Sequence, residues 1–239
     1  GASTEGNFTI TLVNDASDDP FVPAPITDAN FQDAVNLWFS DEANATATYG
    51  HIRDWDVSAV TDMSQAFLYR TTFNEDISDW NVSNVTNMKN MFHFASSFNQ
   101  PIGSWNTKAV TDMGSMFAKA HDFNQSIEDW NISNVTNTFL MFWHATDFDQ
   151  PIENWNVSNV TNMKNMFHFA TSFNHDLSDW NLAVDVNMTD MFQDTSSLSV
   201  LNKGLIHKSF SSNSNWPYDW SEFVTYAPIT DANFQDAVN

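Results

Sequence analysis

Four aspartates in this chain, Asp54, Asp79, Asp129 and Asp179, each stand immediately before a tryptophan, and Asn81, Asn106, Asn131 and Asn156 each stand immediately after one. Successive members are twenty-five residues apart, or a multiple of that. Carboxylates and amides held in such a register offer oxygen acceptors beside amide donors, suited to sugar hydroxyls, to the backbone of a partner or to a hard cation. Carboxylates on adjacent coils would repel one another, which gives a cation a motive to settle between them, although Ser104 and Asn154 interrupt the acidic line. A second candidate is the stretch Asn14–Pro20, where Asp15, Asp18 and Asp19 supply ligands of the kind Ca2+ prefers, without the spacing of an EF-hand loop. Ca2+ is the one cofactor the sequence suggests.

Catalysis is not expected. An enzyme needs a cleft and a converging acid, base or nucleophile, usually on loops of irregular length, and here no repeat carries an insertion. There is no phosphate-cradling glycine run and no H-E-x-x-H, and His93 and His168 occupy the same position in two copies of one block. Acidic pairs such as Glu128 and Asp129 read as solvated surface residues.

Composition narrows the partners. Thirty Asp and Glu against eight Lys and Arg give a formal charge of −22, a field that repels nucleic-acid phosphates and anionic headgroups. Neither nucleic acid nor membrane insertion is expected, since no apolar run approaches the roughly 20 residues of a span. The chain lacks cysteine, which removes disulfides and thiolate metal sites. Gly1 is not followed by a charged and then apolar leader, so an export signal is expected to have been removed or left out.

What would position these columns is an internal repeat. Trp55, Trp80, Trp105, Trp130, Trp155 and Trp180 recur every twenty-five residues, and Phe73, Phe98, Phe123, Phe148 and Phe173 precede their tryptophans by seven. The sixteen residues Trp80–Ala95 return unchanged as Trp155–Ala170, three periods later. Within a unit, Ile77, Trp80, Val82, Val85 and Met88 follow I-x-x-W-x-V-x-x-V-x-x-M, close to the opening of a leucine-rich repeat. The spacing predicts a short strand over "DWNVS", with Trp80 and Val82 inward and Asp79, Asn81 and Ser83 outward. Met88, Met91, Phe92 and Ala95, at i, i+3, i+4 and i+7, predict a short helix capped by Thr86. The threonine column Thr61, Thr86, Thr111, Thr136 and Thr161 is accordingly assigned to capping rather than to ice binding. Tyr69, Phe94, His144 and Phe169, with Trp143 beside them, lie on the flank of the helical side, where packing between coils is expected over an aromatic recognition patch. The expected fold is an α/β solenoid, a leucine-rich-repeat-like stack of six coils with one parallel strand and one short helix each.

The phrase W-N-V-S-N-V-T-N-M…M-F…F-N, running from about Tyr49 to Leu198, resembles the BspA-type leucine-rich-repeat bacterial surface proteins. The departures are Thr107 for Val, Thr138 and Ala66 for Met, and a last unit in which Asp185 and Val186 replace Val and Thr. The resemblance implies an extracellular, non-enzymatic role in surface attachment or partner recognition, in a bacterial or marine microbial setting. The N-x-S/T sequons at Asn81, Asn84, Asn131, Asn134, Asn156 and Asn159 are then by-products of the repeat.

Solenoid ends need caps. Residues 24–50 read as two helices, capped by Thr27 and Ser40, with Phe31, Ala34, Val35 and Trp38 on one face. Residues 51–198 hold the six coils, and 199–226 read as a C-terminal cap with Leu201, Leu205, Ile206 and Phe210 at helical spacing before an aromatic turn. "APITDANFQDAVN" at 24–36 returns at 227–239, which marks the start of a further tandem module and makes neighbouring modules of the same chain expected partners. Residues 1–23 read as a linker or the end of a preceding element. The expectation is an adhesin or ligand-recognition module, secreted or on the cell surface, binding a glycan or a protein through Asp54, Asp79, Asp129, Asp179, Asn81, Asn106, Asn131 and Asn156. The alternative is a spacer that extends a distal binding domain, and a polysaccharide-acting enzyme ranks third.

Overall fold

The structure, a computed structural model, describes residues 22–226. Two helices, α1 (Phe31–Ser40) and α2 (Glu42–Tyr49), lead into a stack of coils, and α3 (Val200–Phe210) with a 3₁₀ segment (Ser221–Tyr226) follows it. Among these residues no helix is long and apolar enough to cross a membrane.

The coils correct the expected α/β solenoid. No β-strand forms among the described residues: the strand-type pairing there between neighbouring coils is limited to isolated parallel bridges, Asp62 to Asn87, Asn87 to Asp112, and so on to Asn187. Nor does any coil contain a helix over the Met–Phe segment. The reason lies in where the N–H groups go. Met88, Asn90, Phe92 and Phe94 donate to Asp112, Gly114, Met116 and Ala118 of the next coil, at 2.8–2.9 Å. The alternate residues Met91, His93 and Ala95 instead donate three residues back, to Met88, Asn90 and Phe92. An α-helix would send every N–H back four residues, and a strand would send none back, so alternation excludes both. It also requires two left-handed residues per coil, such as Asn90 (φ 57°) and Phe94 (φ 62°), each at the third position of a four-residue turn, where a type II turn needs positive φ.

The "DWNVS" segment forms no strand for a related reason. Its backbone serves turns on either side, Trp80 N–H to Ile77 O at 3.1 Å and Val85 N–H to Val82 O at 2.9 Å. Thr86 does not cap a helix: its N–H (2.8 Å) and its hydroxyl (3.2 Å) both reach Thr61 O in the preceding coil.

Burial follows the sequence period even though conformation does not. The six tryptophans of the column are each 3% exposed, and every indole N–H donates to a backbone carbonyl, from Trp80 to Ile52 through Trp180 to Ile152. Phe67, Phe92, Phe117, Phe142, Phe167 and Phe192 stack as a second column at 5.4–5.8 Å. Met88, Met91, Phe92 and Ala95 are all fully buried. The apolar stripe is real, and overlapping turns present it as a helix would.

Both ends of the stack are sealed by side chains standing in for a missing coil. At the first coil, the Asp28 carboxylate accepts from Thr61 N–H (2.7 Å), Thr61 Oγ1 (2.6 Å) and Asp62 N–H (3.2 Å). At the last, the Tyr218 hydroxyl accepts from Phe192 N–H at 2.7 Å. Asp41, rather than Ser40, caps α2 by accepting from Asn44 N–H, and Gly50 ends it at φ 81°. In α3, Gly204 admits the 3₁₀ segment, because a Cβ there would lie 2.3 Å from Phe223 O.

Candidate functional site

The turns just described set out the acidic column. Asp79, Asp129 and Asp179 occupy the third position of the turns Ile77–Trp80, Ile127–Trp130 and Leu177–Trp180, closed by the tryptophan N–H at 3.0–3.1 Å. Asp54 ends a short 3₁₀ turn, Ile52–Asp54, at the equivalent place. All four are exposed. Among the described residues none of their carboxylates accepts a hydrogen bond or meets a cation. Asp56 and Asp76 differ: each accepts from a serine two residues on, Ser58 or Ser78, and those bonds hold their carboxyls below the usual range.

The amide column is also exposed but locally engaged. Asn81 Oδ1 accepts from Ser83 N–H (3.2 Å) and Ser83 Oγ (2.7 Å); Asn131 and Asn156 do the same with Ser133 and Ser158, and Asn106 accepts from Lys108 N–H at 3.3 Å. These are Asx turns, and they leave the NH2 groups as the outward donors. The links along the stack come from other asparagines. Asn84, Asn134 and Asn159 donate to carbonyls of the preceding coil at 2.7–2.8 Å. Asn74, Asn99, Asn124, Asp149 and Asn174 each accept the N–H of the next member, ending at Ser199, at 2.9–3.0 Å. The sequence signal for this ladder is the residue after each phenylalanine of the F-N phrase. Asp15, Asp18 and Asp19 lie outside the described residues.

On the other flank the aromatic residues of successive coils meet one another and Lys119. Tyr69 lies over Phe94 (4.8 Å), the Lys119 ammonium over Phe94 (4.6 Å) and Trp143 (4.8 Å), Trp143 meets His144 edge-on (4.6 Å), and His144 lies over Phe169 (4.3 Å). Lys119 was not foreseen there; the signal was its place in the same twenty-five-residue column as Phe94 and His144. Burial and the Lys119 charge hold His93 below the ordinary histidine range, and burial, Lys119, His168 and His121 do the same to His144. His168 Nε2 stands 3.7 Å from the Asp194 carboxylate.

Residues 34–147 and 124–207 match the model of a family described as "Mycoplasma protein of unknown function, DUF285". The chain belongs to this DUF285 family. The two matches overlap over 124–147 and together run from α1 to α3, so the DUF285 region takes in the whole coil stack. No curated protein and no solved structure is found to match the chain.

Proposed function

We propose that this DUF285 chain is an extracellular recognition module of a BspA-like tandem-repeat surface protein, binding a glycan or a protein partner through its Asp and Asn columns. The observation that carries the reading is the set of four exposed carboxylates, Asp54, Asp79, Asp129 and Asp179, repeated along a rigid stack with no intramolecular partner among the described residues. An extended ligand could meet them at several equivalent points, each weak, with affinity coming from the sum. The outward NH2 groups of Asn81, Asn106, Asn131 and Asn156 supply donors beside these acceptors, and Ca2+ could bridge a ligand to the acidic line.

The test is a glycan and protein array probed with the intact chain, with Ca2+ and with chelator. Asp79, Asp129 and Asp179 replaced together by Ala should abolish the strongest interaction without lowering the thermal midpoint. Retention of that interaction in the triple variant would refute the assignment to this face. Binding only to neighbouring modules would favour a spacer.

A further inference from the structure

The flank carrying Tyr69, Phe94, Lys119, His144 and Phe169 is built from residues that its backbone does not favour. All five sit at positive φ, between 55° and 62°. A side chain with a Cβ pays about 1–2 kcal/mol there, and asparagine is among the residues that tolerate it best. The other left-handed position of the same coils reads Gln65, Asn90, Ser115, Leu140 and Asn165, polar in four of the five. Burial does not explain the rings either: Tyr69 is 63% exposed, and Phe94, His144 and Phe169 are half-buried. Neither conformation nor core packing selects aromatic residues here.

Two further features define what such a surface would accept. The first is its charge. The Lys119 side chain makes no ion pair or hydrogen bond among the described residues, and its ammonium rests over the rings of Phe94 and Trp143. Within a chain of net charge −22 the strip from position 69 to position 169 carries one fixed cation, Lys119, and its column ends in Asp194. At physiological ionic strength the Debye length is about 8 Å, so carboxylates on the far face are largely screened from a ligand bound here. The second is its shape. Two open cavities lie at the ends of the stack, between α1 and the first coil (470 Å³) and beside α3 (420 Å³), and neither is lined by a residue of the strip. A polypeptide partner would want pockets for anchoring side chains. Where rings of successive coils overlie one another, what remains for a ligand is their edges, the electropositive part of an aromatic ring.

We propose that the strip Tyr69–Phe94–Lys119–Trp143–His144–Phe169 is a second binding surface, which takes a carboxylate-bearing polysaccharide lengthwise. Lys119 pairs with a uronate carboxylate, and the ring edges on either side of it meet the ring and hydroxyl oxygens of the adjoining sugars.

The intact chain is titrated at physiological salt with polygalacturonate, with uncharged dextran and with poly-glutamate, by calorimetry and by affinity electrophoresis. Binding of polygalacturonate but not of dextran is expected, with Lys119→Gln weakening it about tenfold, the effect of one interfacial charge pair. Phe94→Asn and Phe169→Asn should weaken it similarly while leaving the thermal midpoint unchanged or raised, since asparagine suits the left-handed backbone. The Asp79, Asp129 and Asp179 triple variant should bind polygalacturonate at least as well as the parent. Absence of polygalacturonate binding, or binding indifferent to Lys119→Gln, would overturn the proposal. So would poly-glutamate binding as tightly, which would make the partner an acidic polypeptide, or a fall in stability of the asparagine variants, which would make the rings structural.

Discussion

Removing the central tryptophan, Trp130→Ala, tests how the stack holds together. The indole is 3% exposed, lies parallel to Trp105 at 6.4 Å and against Phe117 at 6.1 Å, and donates to Ile102 O at 3.1 Å. Truncating a large buried aromatic costs about 3–5 kcal/mol. The Ile102 carbonyl would also lose its partner in a dry interior, worth about 1–3 kcal/mol where no water enters. The two effects overlap, because a cavity that admits water relieves the second, so a loss of about 5 kcal/mol is expected. Trp130→Phe separates them: it keeps most of the stacking and deletes only the N–H donor and part of the volume, for about 2 kcal/mol. Urea unfolding followed by fluorescence and circular dichroism gives both values. Because each coil contacts only its neighbours, exchange of the inter-coil amides of Phe117 and Phe142 should accelerate more than that of Phe67. A loss below about 1 kcal/mol for Trp130→Ala, the size of an ordinary surface change, would refute the picture of a buried, hydrogen-bonded tryptophan column.

Three other outcomes follow from the ends of the stack. Tyr218→Phe should cost about 1 kcal/mol or more in urea unfolding, since it leaves the Phe192 N–H without its acceptor while keeping the ring. The bonds from the Thr61 hydroxyl and N–H hold the Asp28 carboxyl below the usual range, so its stabilisation is present above the unfolded-state value near 3.9 and fades as pH falls through the lower folded value; a pH series of melting temperatures should therefore drop less steeply in acid for Asp28→Asn. Gly204→Ala should lower the melting temperature although alanine is the better helix former, because the new Cβ would meet Phe223 O; a rise would show that the 3₁₀ segment does not pack on α3.

The sequence shows which side chains are buried far better than which backbone buries them. Met88, Met91, Phe92 and Ala95 sit at helical spacing and are buried, yet they are the first and last residues of two consecutive turns, Met88–Met91 and Phe92–Ala95, which reproduce that spacing without a helix. Nothing in the composition of "NMKNMFHFA" marks Phe94 as left-handed, since a bulky ring is among the least expected residues at positive φ. The strand expected at "DWNVS" shows the same limit: alternation placed Trp80 and Val82 inside correctly, but the N–H groups that would have formed a ladder close turns instead. The acidic and amide columns were legible as columns. That the Asn81 carbonyl would turn back on Ser83, while the ladder would run through Asn74 and Asn99, depends on turn geometry that the residue types do not encode.

The division of labour between main chain and side chain explains where such a protein can carry recognition. Main-chain bonds from one coil to the next, such as Phe94 N–H to Ala118 O and Lys119 N–H to Trp143 O, are made whatever side chain the residue bears. Positions whose side chains face inward are therefore constrained by volume, and the tryptophan column is invariant across all six coils. The left-handed column at 69, 94, 119, 144, 169 and 194 has no such constraint and reads Tyr, Phe, Lys, His, Phe, Asp. The block copied from Trp80–Ala95 to Trp155–Ala170 places His93 and Phe94 on one side of Lys119, and His168 and Phe169 on the other. The duplication thus leaves a single cation near the middle of an aromatic strip. A ligand that spans the strip meets rings on both sides of that charge, so the contribution of Lys119 to binding depends on coils that it does not belong to.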